Sequence, residues 1–170
     1  MTGIPIAHLS LLAAGLICAA ITDVTRRRVP NAISAAVFVS GIAVNWLDRG
    51  FLAAAGGLGA AVVMLMALFA FWRAGGMGGG DVKLAAAVGA WVGFPHLLWF
   101  VLGTGVAGGS VFLIYYLLAP APTRAEVRTN LVLAGLQGEL PPVPSHRSGH
   151  PSVPYAVAIA AGAAVALLVG

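Results

Sequence analysis

The chain has 170 residues, of which 60% are hydrophobic and 8% charged, with a formal net charge of +4. Its mean hydropathy of +0.98 excludes an ordinary soluble domain, where roughly 45–50% apolar and 25% charged residues are usual. Nucleic-acid binding is also excluded despite a pI near 10.0, because the basic residues flank apolar segments and form no long tract interleaved with aromatics.

In chain order, the apolar runs predict an all-α, polytopic membrane bundle of about six spans within a single domain, residues 1–170. Helix 1 is expected over 4–22. No Lys or Arg precedes it and Ile17 before Cys18 fits a lipoprotein cleavage site poorly, so it reads as a retained span and not a leader. Cys18, the single cysteine, sits in this apolar run and has no internal disulfide partner. Helix 2 is expected over 32–47, with Asn31 after Pro30 as its N-cap, and helix 3 over 51–72. The stretch 82–119 exceeds one span and is broken at Gly93-Phe94-Pro95, since proline lacks a donor and disfavours helix at the residue before it. That leaves a helix 4 over 82–93, too short to cross alone, and a helix 5 over 96–119. Such a piece either continues past Pro95 with a kink or is a partial span held among its neighbours. Residues 120–151 form a basic, Pro-rich loop with a short amphipathic helix expected at 124–136, and helix 6 follows over 153–169. His146 and His150 read as solvated loop residues, His8 and His96 as outer interfacial ones. Gly105 with Gly109, and Gly56 with Ala60, are spaced four apart and read as helix-packing positions.

Eight of the nine basic residues, all but Arg49, fall on one side if the first terminus lies outside, which is the positive-inside pattern. Asp23, closing helix 1, and Asp81, opening helix 4, then share the cytoplasmic boundary. A charge at a helix centre in hydrocarbon costs about 2.5–3.5 kcal/mol on insertion scales and less near the interface. Each aspartate has an ordinary account: Asp23 pairing with Arg26 or Arg27, Asp81 capping helix 4, and Arg26-Arg27-Arg28 fixing topology. A cap does not need the run Gly75-Gly76-Met77-Gly78-Gly79-Gly80 before Asp81. A loop that admits an extended peptide and presents a carboxylate beside it does. The segment lacks the Gly-Lys-Ser/Thr ending of a phosphate loop and carries an anion where phosphate would sit.

These segments resemble the type IV prepilin peptidases, a family of membrane aspartic proteases. Asp23, Arg26, Arg28 and Val29-Pro30-Asn31 are similar to the family's first aspartate motif. Gly78-Gly79-Gly80-Asp81-Val82-Lys83 resembles its G-x-G-D motif with the following lysine, and Val153-Pro154-Tyr155-Ala156 its hydrophobic-Pro-aromatic segment. The resemblance implies Asp23 and Asp81 as a catalytic dyad that activates water and shares a proton. Gly78, Gly80, Lys83, Pro30, Asn31 and Pro154 are its substrate and loop support. It implies no metal or organic cofactor. The implied substrate is a prepilin-like protein with a basic leader and an apolar helix. The enzyme would be a multi-pass protein of a bacterial or archaeal cytoplasmic membrane, its partners that substrate and the bilayer, with no nucleic acid. Longer members carry a Cys-x-x-Cys insert and methylate the new terminus; with one cysteine this chain is closest in size to the peptidase-only branch of Flp/Tad-type pili. Two other function classes fit the aspartates: a small proton-coupled transporter, and a non-catalytic scaffold of a pilus or secretion assembly.

Overall fold

The structure, a computed structural model, describes residues 6–73, 77–137 and 155–169. These form six helices: α1 (Ile6–Arg26), α2 (Asn31–Arg49), α3 (Phe51–Arg73), α4 (Gly79–Leu118), α5 (Ala121–Gln137) and α6 (Tyr155–Val169). Among the described residues, four helices (α1 to α4) are long and apolar enough to cross a membrane, and the equally apolar α6 is shorter. Large side chains such as Leu47, Leu52, Met66 and Val106 are exposed on the outside of the bundle, as lipid contact requires. The chain is a polytopic membrane protein.

α1 runs one turn beyond its expected end at residue 22, so Asp23 lies inside the helix. Thr22 and Thr25 satisfy their hydroxyls within it, donating to the carbonyls of Cys18, Ala19 and Ile21 at 2.7–2.9 Å. Arg26 closes the helix, where a cation suits the negative end of the helix dipole. Arg27 then turns the chain with left-handed backbone (φ 51°). The expectation that Asn31 caps α2 is corrected: the cap is Pro30, in extended conformation (φ −61°, ψ 137°), and Asn31 is the first helical residue. Pro30 supplies the carbonyl that receives the Ile33 and Ser34 N–H groups, which frees the Asn31 side chain for another partner. The α2–α3 turn is a single residue, Gly50, at φ 84°, a conformation costly for any residue with a Cβ.

The helices expected over 82–93 and 96–119 are the two segments of α4, divided where Gly93 departs from helical geometry (φ 64°, ψ −178°). The first segment, residues 79–92, rises about 21 Å and cannot span roughly 30 Å of hydrocarbon. It is a partial span held among its neighbours: Val82 and Leu84–Val92 are buried on every face, against α2, α3 and α6. α1 completes the ring by packing on α2 and α6.

The break exposes backbone that hydrocarbon cannot satisfy. Pro95 has no N–H for the Trp91 carbonyl, so a neighbouring side chain replaces it. Asn45 of α2, 5% exposed, donates through Nδ2 to Ala90 O at 2.9 Å, Trp91 O at 3.3 Å and Gly41 O at 3.1 Å. The Trp91 indole N–H donates to Val37 O at 2.7 Å and fixes the same end of the segment to α2.

Glycines provide close approach at other positions than expected. A Cβ on Gly57 would lie 2.5 Å from Ala90 O, and one on Gly103 would lie 2.9 Å from Val165 Cβ. Gly56, Gly105 and Gly109 would meet nothing within 4 Å among the described residues, which corrects their reading as packing positions: no described helix covers those faces, whereas Ala60, paired with Gly56 in that reading, is buried against α4. α5 begins at Ala121, three residues before the expected 124–136, and makes no extended contact with the other described helices. Its described side chains are mostly exposed. Residues 138–151 of the Pro-rich loop, with His146 and His150, lie outside the described residues.

Candidate active site

Asp23 and Asp81 arrive at one end of the bundle from opposite chain directions, Asp23 near the C-terminus of α1 and Asp81 in the first turn of α4. Each is 8% exposed, and Asp23 is close enough for its charge to act on Asp81. Burying two carboxylates side by side is unfavourable unless other groups compensate.

Asp23 finds its partner on a third helix. Its Oδ2 accepts the backbone N–H of Ala156 at 3.1 Å, in the first turn of α6, where unpaired N–H groups and the helix dipole favour an anion. This contact joins residues 133 apart in sequence. It is the feature that motif reading missed; the available signal was Pro154-Tyr155, a proline just ahead of a helix start, whose free N–H groups need an acceptor.

Asp81 does not cap α4 from outside, as a simple cap would. The cap is Gly78 (φ −69°, ψ 142°), and Asp81 is the third helical residue, its carboxylate folded back onto the Gly78 backbone. That fold-back needs a glycine: a Cβ at residue 78 would sit 2.8 Å from Asp81 Oδ2. Asp81 Oδ1 is buried with no hydrogen-bond partner among the described residues. An unsatisfied buried polar atom costs about 1–3 kcal/mol, which a purely structural cap has no reason to carry.

The glycine run is corrected in part. Gly79 and Gly80 are not a loose approach to Asp81 but the first turn of α4, despite glycine's poor helix propensity. Packing decides it: a Cβ on Gly80 would lie 3.0 Å from Val29 O and 3.2 Å from Val29 Cβ, so the turn fits directly onto the α1–α2 connection. Gly75 and Gly76 lie outside the described residues, as does Pro154.

Lys83 and Asn31 come together. The Lys83 ammonium donates to Asn31 Oδ1 at 3.0 Å, tying the start of α4 to the start of α2 just after Pro30. Lys83 stands two residues from Asp81, about 200° around the helix, and so on the far side of α4 from the carboxylates. The site therefore comprises two buried carboxylates, each with one oxygen engaged by backbone, on helices locked by Gly80–Val29 packing and the Lys83–Asn31 bond. Two carboxylates in one buried neighbourhood have the chemistry to pass protons both ways.

A family model described as the type IV leader peptidase family matches residues 10–113, more than half of the chain and a stretch containing both aspartates. Comparison with curated proteins and with solved structures finds no match.

Proposed function

This chain belongs to the type IV leader peptidase family, and from that premise we propose that it is a membrane-embedded aspartic endopeptidase. Its substrates are prepilin-like proteins, whose basic leader it removes at the cytoplasmic face of the membrane. The observation that supports this most is the meeting of Asp23 and Asp81, both buried, at one end of the bundle.

In the reaction one carboxylate is ionised and the other protonated. The ionised group takes a proton from a water held between them, and that water attacks the scissile carbonyl carbon. The protonated group donates to the carbonyl oxygen, giving a tetrahedral diol. Collapse breaks the C–N bond as the proton gained from water passes to the leaving amine, while a diol hydroxyl returns its proton to the other carboxylate as the new carboxyl group forms, so the pair again holds one shared proton. Ala156 N–H orients Asp23, Gly78 leaves room for Asp81, and Gly80, Lys83, Asn31 and Pro30 hold the two helix ends in register.

Purified enzyme in detergent, incubated with a prepilin carrying a basic leader and an apolar helix, is expected to release the intact leader, identified by mass spectrometry. An unchanged prepilin after long incubation with inserted, folded protein rules out this proposal.

A further inference from the structure

Two apolar grooves run along the bundle at membrane depth. One, of about 360 Å³, lies between α1 and α6; the other, of about 390 Å³, lies between α2, α3 and α4. They differ at the end that reaches the site.

The α1 side of the first groove is the stripe Leu9, Leu12, Ala13, Leu16, Ile17 and Ala20. Its spacing of three and four residues continues, one step further, to Asp23. The α6 side starts at Val157, beside the Ala156 N–H that holds Asp23. The groove thus leads along the helices for roughly 16 Å into the carboxylate pair. Small residues, among them Ala13, Ala160 and Ala164, line it, and such residues let a further helix approach closely in a membrane. The second groove leads instead to Lys83 and Asn31, on the far side of α4.

We propose that the α1–α6 groove seats the apolar helix of the substrate, so that the peptide bond just outside the membrane is delivered to Asp23 and Asp81. Continuity with the candidate site selects this groove. Its α1 stripe leads to Asp23 and its α6 side to Ala156, with Asp81 beside them and Arg26, Arg27 and Arg28 further along the chain, whereas the other groove ends at Lys83 and Asn31 on the far side of α4. This proposal rests on the peptidase function proposed above.

The test compares two substrates on the full-length enzyme: a complete prepilin, and a soluble peptide with the leader and the first residues after the cut but no apolar helix. Ala164→Phe fills the first groove and Ala35→Phe the second; both positions are exposed, so the bundle core is untouched. Ala164→Phe is expected to raise KM for the prepilin about tenfold while leaving kcat/KM for the peptide within about twofold, and Ala35→Phe to change neither. An unchanged prepilin KM, or an equal loss on both substrates, overturns the proposal. A second measurement does not need catalysis. With Cys18→Ser and Asp81→Asn, Ile17→Cys is expected to cross-link to a cysteine in the prepilin helix, and Val62→Cys is not; the reverse pattern overturns the groove assignment. Wild-type enzyme that cleaves neither substrate defeats the peptidase function itself, while the cross-links still decide which groove binds the helix.

Discussion

Gly80→Ala and Gly80→Val separate a packing role for this glycine from a flexible-loop role. On local propensity alone, alanine in the first turn of α4 gains about 1 kcal/mol over glycine. Against this, its Cβ meets Val29 O at 3.0 Å, Val29 Cβ at 3.2 Å and Val29 N at 3.4 Å, all on one buried residue. Two of these contacts involve backbone, held by Pro30 as the cap of α2, so relief requires α4 to shift by a few tenths of an ångström. Overpacking of this kind costs about 1–3 kcal/mol, so the stability change for alanine is near zero to about 2 kcal/mol. The shift moves Asp81, the next residue. A misplacement of about 1 Å can cost a hundredfold in rate, so the smaller shift is worth about tenfold in kcat. Valine adds two further methyls on the same side and is expected to lose about a hundredfold or more. The assay is single-turnover cleavage of a prepilin by detergent-purified variants, with thermal unfolding followed in parallel. Gly56→Ala, which meets open space among the described residues, serves as control. Wild-type rates for Gly80→Val would refute the packing argument.

Other perturbations act on single contacts. Asn45→Leu leaves the Ala90 and Trp91 carbonyls unpaired in an apolar interior and is expected to destabilise by about 1–3 kcal/mol per lost acceptor, measured as a lowered Tm. Asp23→Asn keeps an oxygen for the Ala156 N–H and should leave Tm nearly unchanged, whereas Asp23→Leu removes this cap of α6 and should cost about 0.5–2 kcal/mol. Equal Tm values for the two variants would deny the α6 contact. Lys83→Met and Asn31→Ala break the same exposed bond, so in a double-mutant cycle their effects on cleavage should overlap instead of adding, with a coupling of about 0.5–1.5 kcal/mol.

The helices and the break in the fourth were legible in the sequence because both rest on local rules: apolar length for the spans, and Gly93 with Pro95 for the break. The common end of Asp23 and Asp81 followed from counting spans and basic residues. What was not legible depends on neighbours distant in the chain. Gly79 and Gly80 carry no helical signal of their own; they lie in the first turn of α4, where Gly80 packs closely on Val29 and Gly79 on Trp72. Asn45 looks like an isolated polar residue in an apolar helix until the break in α4 gives it two carbonyls to satisfy. Gly105 and Gly109 have the spacing of a packing motif, but spacing does not say whether a partner helix covers that face. The Ala156 contact is made by a backbone N–H, so its only sequence signal is Pro154-Tyr155 at the helix start, which does not say which acceptor it meets.

The central claim is that the two carboxylates act as one catalytic unit. Processing of a co-expressed prepilin by Asp23→Asn, Asp81→Asn and the double variant tests it most directly, with membrane insertion checked for each. Asparagine keeps size and hydrogen bonding but cannot cycle a proton. Each single variant is therefore expected to lose at least about a hundredfold in rate, and the double to be no worse than either. Normal leader removal by either single variant would contradict the dyad and leave the aspartates as a helix cap and an interfacial anchor.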